Sequence, residues 1–381
     1  MGKWQNKFVI GLTGNIGTGK SIVRRMLENL GAFGIDADRI AHRAMAQGSP
    51  AYPLIVETFG KWMLNADGEI DRSKLGRLVF QDSEALLMLE DIVHPIVVQA
   101  IDLIISRVTR KVVVIEAIKL IESNLSDDCD SIWVTYSPRE QQMQRLIEKR
   151  QMSAAEARRR IDAQPPQKDK INKANVVIYN ESSLHETWDK VTKAYNKIVP
   201  KVQQVGVDTL VAEVRADERQ LQVLRGKPKH ANQIAALKNR NNDEQSDTTR
   251  DEIVASFGDL AYLLLQSEDN IIGLIGWQVE NLVSRVTEII VDENHSKEES
   301  IEALIKEMES ESKKLQCEVA MIFASKELSK HAHIWSKLGY AMGSEKSFSI
   351  KAWQEAVKES YTPDSVLYFK QLREERILRP L

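Results

Sequence analysis

Residues 8 to 21 read Phe8-Val9-Ile10-Gly11-Leu12-Thr13-Gly14-Asn15-Ile16-Gly17-Thr18-Gly19-Lys20-Ser21, and the fold turns on them. The apolar run Phe8 to Leu12 meets a glycine-rich turn, and a helical pattern follows from Lys20 to Leu30, so the order is strand, loop, helix. Gly14 to Ser21 satisfies G-x-x-x-x-G-K-[ST] where the pattern has physical meaning, after a buried strand and at a helix N-terminus. Glycines let the backbone amides turn inward around a β-phosphate. Lys20 neutralises charge on the β and γ groups, Ser21 offers a hydroxyl to Mg²⁺, and the positive end of the helix dipole adds to both. A glycine turn that merely contains a lysine is the plain alternative, and the flanking strand and helix argue against it.

Outward from this unit, further strands are expected at Ala32 to Ile35, Lys111 to Ile115, Ser131 to Tyr136 and Asn175 to Tyr179. Helical patterns lie between them, among them Ser83 to Gln99 and Pro138 to Arg150, where Met143, Leu146 and Ile147 recur at helical spacing. Alternation of this kind implies an α/β fold with a parallel sheet covered by helices on both faces, the P-loop NTPase kinase arrangement. After a helix at Leu184 to Ile198 the pattern changes near Pro200, and at 381 residues two domains are expected, 1–204 and 205–381. The second half offers strands near Gln220 to Leu224, Leu260 to Gln266, Ile271 to Val279, Arg285 to Val291 and Glu318 to Phe323. Helices are expected at Pro228 to Asn239, Ser300 to Leu315 and Glu327 to Leu338, with Asn239 to Thr249 an exposed loop.

The composition is that of a globular protein, 43% hydrophobic and 28% charged with a net charge of -3, without a global pull toward nucleic acid or membrane. Cys129 and Cys317 stand far apart without a CxxC partner, which supports neither a disulfide framework nor a zinc site. No apolar run approaches the ~20 residues of a spanning helix and no signal-peptide core is present, so a cytoplasmic location is expected. Oligomeric state stays open, a homo-oligomer included.

A phosphate loop alone does not separate kinase from GTPase or motor. On the acceptor side, Ile35-Asp36-Ala37-Asp38 closes the second strand with two carboxylates at the sheet's C-terminal edge. Either can accept a proton from an attacking hydroxyl, and Asp38 would equally cap a helix from Arg39. Glu116 ends the third strand, where an acid reaches Mg²⁺ directly or through water, or serves structure alone. From Arg145 to Lys173 there are nine Lys or Arg against four Asp or Glu. Arg145, Arg150 and Arg158-Arg159-Arg160 are therefore candidates for a lid that closes over the transferring group, with a solvated helix face as the alternative.

Together these residues resemble the dephospho-coenzyme A kinase family over roughly residues 8 to 200. The pattern runs through G-L-T-G-x-I-G-x-G-K-S at Gly11 to Ser21, the I-D-A-D block, His94-Pro95, Glu116 with Glu122 a turn later, the Q-x-x-R-L segment from Gln142, R-I-x-A-Q at Arg160 to Gln164, and Ala174 to Asn180. The resemblance implies ATP-dependent phosphorylation of the 3′-hydroxyl of dephospho-coenzyme A, the last step of coenzyme A synthesis. It implies Asp38 as general base with Asp36 as second candidate, and Lys20, Arg145 and Arg150 as further catalytic groups. ATP would be bound by Gly14, Asn15, Ile16, Gly17, Thr18, Gly19, Lys20, Ser21, Ile22, Arg145 and Asn180, the acceptor by Asp38, His94 and Arg160, and Mg²⁺ by Ser21 and Glu116. Two departures stand out: Ile118-Lys119-Leu120 where the family has Pro-Leu-Leu, and Asn15 where glycine is common, tolerable because asparagine enters positive φ readily.

From about residue 215 the chain resembles, more faintly, the acyltransferase fold of the GNAT superfamily, down to the turn Lys337-Leu338-Gly339-Tyr340. Active members cradle coenzyme A on a glycine-rich loop. Here that stretch is Asp292-Glu293-Asn294-His295-Ser296-Lys297-Glu298-Glu299, without glycine and with acid that repels a diphosphate. This half is expected to be non-catalytic, with coenzyme A sensing, assembly or a structural role as its options. A bifunctional kinase and N-acetyltransferase, or another small-molecule P-loop kinase, are the alternatives for the whole chain. His331 and His333, two apart, do not share a helix face and are expected to be solvated.

Overall fold

The computed structural model describes residues 3–4, 6–198, 212–214, 221–241, 247–268, 270–280, 282–315 and 317–373. The chain forms two compact units. Among the described residues, one consists of those up to Arg24 and from Ala32 to Glu181, the other of Arg25 to Gly31 and Ser182 to Arg373. The boundary expected at 204/205 lies outside the described residues.

The first unit opens with β1 (Phe8–Thr13), the phosphate loop and α1 (Lys20–Asn29), then β2 (Phe33–Asp36) and α2 (Ala37–Ala44). An α-helical arm follows: α3 (Ala51–Phe59), α4 (Arg72–Gln81) and α5 (Ser83–Arg107). Then come β3 (Val112–Glu116), β4 (Ser131–Tyr136), α6 (Arg139–Arg150), α7 (Ala154–Asp162), α8 (Gln167–Ile171) and β5 (Val176–Tyr179). The sheet order is β2-β3-β1-β4-β5, every pair parallel. β1 and β3 are covered on both faces, which is why they read as unbroken apolar runs: all five residues of Val112–Glu116 are buried.

All five expected strands are present, shifted by a residue at most ends. The helix expected at Ser83 to Gln99 runs on to Arg107 because its apolar spacing continues through the buried Ile101, Ile104 and Ile105. The other two helices of the arm, α3 and α4, were not expected. Their shared core (Ala51, Ile55, Met63, Leu75, Val79) is assembled from short segments whose individual periodicity is weak. In α6, Leu146 is buried against Ile16, Ala157 and Ile161, whereas Ile147 is 39% exposed, so only part of the expected apolar stripe faces the core.

The second unit begins with α9 (Leu184–Ile198) and includes β6 (Ala212–Val214), β7 (Leu221–Arg225), α10 (Ala231–Arg240), α11 (Arg250–Ser256), β8 (Ala261–Ser267), β9 (Asn270–Glu280) and β10 (Val283–Val291). It continues with α12 (Lys297–Lys314), β11 (Val319–Ser325), α13 (Lys326–Ser329), α14 (Ala332–Lys337), β12 (Ala341–Gly343), α15 (Lys351–Ser360) and β13 (Ser365–Gln371). Its sheet runs β12-β13-β11-β10-β9-β8-β7-β6, with β10 and β11 parallel and the other pairs antiparallel. The five strands expected in this half are present as β7 to β11, whereas β6, β12 and β13 and the helices α11 and α15 were not expected. The helix expected over Glu327 to Leu338 is instead two short ones, α13 and α14. In the loop expected at Asn239 to Thr249, residues 242–246 lie outside the described set, and Thr249 forms a capping box with Glu252 at the start of α11.

Candidate active site

At the C-terminal edge of the first sheet, β1 delivers the loop that ends in α1. Gly14, Gly17 and Gly19 have φ of 151°, 76° and 95°. A Cβ on Gly14 would sit 2.6 Å from the carbonyl oxygen of Thr135, so the loop is closed to side chains at its first turn. Asn15 is not among the positive-φ residues, which corrects the reason given for its tolerance. Its side-chain amide donates to the carbonyl of Pro165 at 2.8 Å, and the neighbouring Ile16 amide donates to Gln164 Oε1 at 2.6 Å. Asparagine is thus accommodated by a tie across to the segment after α7.

Lys20 is buried, and its ammonium donates to the carbonyls of Gly14 (3.0 Å) and Asn15 (3.3 Å). Burial lowers its pKa, opposed by the charges of Glu116 and Asp38 and assisted by those of Lys170 and Arg150. Ser21 Oγ donates to Glu116 Oε1 at 2.8 Å, and Arg24 Nε donates to Glu116 Oε2 at 2.8 Å. The first turn of α1 contains no acidic residue, so nothing there opposes an anion at its N-terminus.

Thr18 and Asn180 form the floor on the other side: Asn180 Nδ2 donates to the Thr18 carbonyl at 3.0 Å. Arg145, from α6, spans this corner, donating to the carbonyls of Gly17 (3.1 Å) and Asn180 (2.9 Å) and to Ser137 Oγ (2.7 Å). Ile22, the third residue of α1, is half-buried. Arg150 is exposed at the end of α6, near enough for its charge to act on Lys20. Arg158, Arg159 and Arg160 all lie on the exposed side of α7, where Arg160 pairs with Glu156 at 2.9 Å. The surplus of positive charge is therefore divided: Arg145 is built into the loop's surroundings, and the α7 arginines stand in solvent.

The two carboxylates of the I-D-A-D block separate cleanly. The strand ends at Asp36, whose Oδ1 accepts the Arg39 amide at 3.0 Å and caps α2. The capping role open to Asp38 thus falls to Asp36. Asp38 lies in the first turn of α2, where its Oδ2 accepts the Ile118 amide at 3.1 Å. Burial, with help from the charges of Asp36 and Glu116, raises its pKa to about 6 against the opposing effect of the Ile118 hydrogen bond and Lys20. Asp36 is raised as well, by burial first and by Glu116 second.

Asp38 lines a cavity of about 390 Å³ with Glu90, Asp91, His94, Lys119 and Glu122. His94 and Pro95 sit within α5, where Pro95 has no N–H to offer the Asp91 carbonyl. Lys119, the departure from the family pattern, bridges to Glu90 at 2.5 Å on the cavity wall. Lys170 escaped individual notice in the sequence. It entered only as one of nine cations, yet it is buried and lies between Thr13, Ile118 and Glu122. Its signal was its place in the basic surplus six residues after Gln164, which by itself does not distinguish a buried lysine from a solvated one. Among the described residues no group of three or more His, Cys, Asp or Glu is arranged to hold a metal. Cys129 and Cys317 are free, and burial pushes the Cys129 thiol up to about 12. No helix among the described residues is long and apolar enough to cross a membrane.

In the second unit, α12 starts at a Ser296 cap, whose Oγ accepts the Glu299 amide at 3.4 Å. Glu298 is held by Lys337 at 3.1 Å and lies 3.5 Å from His333, which is 62% exposed. Asp292 Oδ1 takes the backbone amide and the side-chain amide of Asn294, each at 3.0 Å, so the start of the glycine-free loop folds back on its own carboxylate.

A parallel sheet whose first strand feeds a glycine loop and a lysine, with a carboxylate-lined cavity beside it, defines a P-loop kinase domain. The dephospho-CoA kinase family model matches residues 8–186. The dephospho-CoA kinase of Carboxydothermus hydrogenoformans is 42% identical over 192 residues, 50% of this chain and 93% of that protein. That of Aquifex aeolicus is 40% identical over 190 residues, 50% of this chain and 96% of that one. This chain belongs to the dephospho-CoA kinase family. A GNAT-family acetyltransferase from Staphylococcus aureus covers 40% of this chain and 99% of its own at 11% identity, with a TM-score of 0.32.

Proposed function

We propose that the first unit transfers the γ-phosphoryl group of ATP to the ribose 3′-hydroxyl of dephospho-coenzyme A, with Asp38 as the base. One observation carries this reading above the others: a half-buried carboxylate with a pKa of about 6 on the wall of a substrate-sized cavity, in the electrostatic field of the phosphate-loop lysine. A base so tuned is ionised at neutral pH and still basic enough to take a hydroxyl proton. The acceptor oxygen bonds to the γ-phosphorus, the bond from that phosphorus to the β-bridging oxygen breaks, the proton passes to the Asp38 carboxylate, and ADP leaves.

The loop fits the nucleotide. Its glycines leave the space that a Cβ would fill, and the buried Lys20 ammonium makes its present hydrogen bonds to two loop carbonyls, leaving a charge suited to a polyanion. Arg145 stiffens the loop through Gly17 and Asn180, and Arg150 adds charge near Lys20. Ser21 and Glu116 would supply hard oxygen donors of the kind that suits Mg²⁺. When bound, the ion neutralises charge on the β and γ phosphates. Cavity residues Asp38 and His94 would face the acceptor, while Arg160, paired on the outer side of α7, would reach it only if α7 swings inward.

The second unit, in this reading, transfers no acetyl group. A panel assay with ATP, Mg²⁺ and several hydroxyl acceptors tests the assignment: turnover of dephospho-coenzyme A supports it, and selective turnover of an adenylate- or shikimate-type acceptor would overturn it.

A further inference from the structure

We propose that Lys170 is a positioning residue for phosphoryl transfer, acting through the Ile118 backbone on the Asp38 carboxylate. The inference rests on the reading of Asp38 as the base. Its footing is a chain of hydrogen bonds that grips Ile118 from both sides. On one side the Ile118 amide donates to Asp38 Oδ2 at 3.1 Å. On the other, the Ile118 carbonyl accepts from Thr13 Oγ1 at 3.1 Å and from the Lys170 ammonium. Lys170 Nζ also lies 3.4 Å from Thr13 Oγ1 and pairs with Glu122 Oε1 at 3.1 Å. Thr13 is fully buried and Lys170 is 4% exposed.

An ammonium in such a place is not there for solubility. Burying it requires partners, and it has two neutral oxygens and one carboxylate. With the carbonyl pinned, rotation about the Ile118 backbone is blocked, so the amide stays aimed at Asp38. The departure Ile118-Lys119-Leu120 removes the proline that would restrict this turn in the family pattern. It also gives position 118 an N–H, without which the bond to Asp38 does not exist. The clamp thus does by hydrogen bonding what a proline ring does by covalent restraint.

Lys170 lies on α8, directly after the Gln164-Pro165 segment that bonds the phosphate loop at Ile16 and Asn15. One short stretch, Gln164 to Lys170, therefore touches the nucleotide loop at its start and the base-holding turn at its end. Positioning of this kind matters because a misplacement of about 1 Å costs on the order of a hundredfold in rate.

The test uses the full chain and the variants Lys170→Met, Lys170→Arg, Thr13→Val and Asp38→Asn. Lys170→Met is expected to lower kcat about ten- to hundredfold while KM for ATP stays within about twofold. Lys170→Arg should recover most of the loss, and Thr13→Val should show a smaller loss in the same direction. The Lys170→Met and Asp38→Asn double variant should be no slower than Asp38→Asn alone, since a residue acting through Asp38 has nothing left to position. The ¹⁵N-resolved Ile118 amide resonance should move in Lys170→Met without any substrate present.

Loss of ATP affinity in step with kcat would overturn the proposal in favour of direct phosphate contact. An unmoved Ile118 amide, or additive losses in the double variant, would overturn it too. If Lys170→Met does not fold, Lys170→Arg and Thr13→Val decide by the same amide and kcat readouts. A folded wild type that ignores dephospho-coenzyme A but turns over another acceptor refutes the acceptor reading, and the same variants then test Lys170 with that acceptor.

Discussion

Arg24 Nε donates to Glu116 Oε2 at 2.8 Å, and both side chains are almost entirely buried, at 6% and 5% exposure. Ser21 holds the other carboxylate oxygen, so the strand-end acid is tied to the phosphate-loop helix at two points. Removing one member of such a pair leaves a charge without its partner in a poor solvent for it. Arg24→Met should therefore destabilise the first unit by about 3–5 kcal/mol, seen as a lowered first transition in thermal or urea unfolding. A melting curve like the wild type's would mean that Glu116 is satisfied without Arg24.

Asp38→Asn should lower kcat by about 10²–10⁴, with the fold intact, because asparagine retains an oxygen for the Ile118 amide. The wild type should lose activity as pH falls through about 6, since the proton acceptor is then already protonated. That acid limb should vanish in the variant. Near-normal turnover would move the base to Asp36.

The same carboxylate makes a prediction about stability. Its folded pKa is raised above the value of an exposed aspartate, so its stabilising effect is present below the unfolded pKa and is lost as pH rises through about 6. Asp38→Asn should consequently be more stable than wild type at pH 8, by at most roughly 3 kcal/mol, and the difference should close below about pH 4. Paired melting curves across this range are the measurement.

Lys20→Ala should lower kcat by about 10²–10³ without unfolding the protein. The lysine bonds to two loop carbonyls, and that of Asn15 keeps the Thr18 amide and hydroxyl as donors when the side chain is gone. Arg145→Lys keeps the charge but cannot span Gly17, Ser137 and Asn180 together. ATP affinity measured by calorimetry should fall about tenfold or more in that variant, as the loss of hydrogen bonds to a charged group requires.

Full-length protein should release no coenzyme A thiol from acetyl-CoA above background with a panel of amine acceptors. The Ser296 cap, the self-bonded Asp292 turn and the acid at Glu298 and Glu299 occupy the stretch that would receive a diphosphate. Robust amine-dependent release would restore the bifunctional reading.

The five strands of the first sheet and β7 to β11 of the second were legible because burial writes itself as apolar runs, as in Val112–Glu116 and Ala261–Ser267, while the edge strands β6 and β12 and the strand β13 were not. Two helices of the arm, α3 and α4, were not, because Ala51–Phe59 and Arg72–Gln81 gain their helical state from one another and from α5 more than from their own periodicity. At the site, the division of labour between Asp36 and Asp38 hung on where β2 stops, and a one-residue question of that kind is beyond pattern reading.

The amino-acid sequence by itself determined the phosphate loop, the strand-loop-helix unit around it, the kinase family and the absence of glycine from Asp292 to Glu299. These are local: each depends on residues a few positions apart whose chemistry is in the order of the letters. Only the tertiary structure decided that Asp36 caps while Asp38 faces the cavity, that Asn15 is held by Pro165, and that Lys170 is a buried clamp on Ile118 and not one more lid cation. Apart from the Asp36 cap, which reaches only to Arg39, those facts join residues 52 to 150 positions apart, and burial and hydrogen-bond partners at that range arise only when the sheet brings the ends of its strands together.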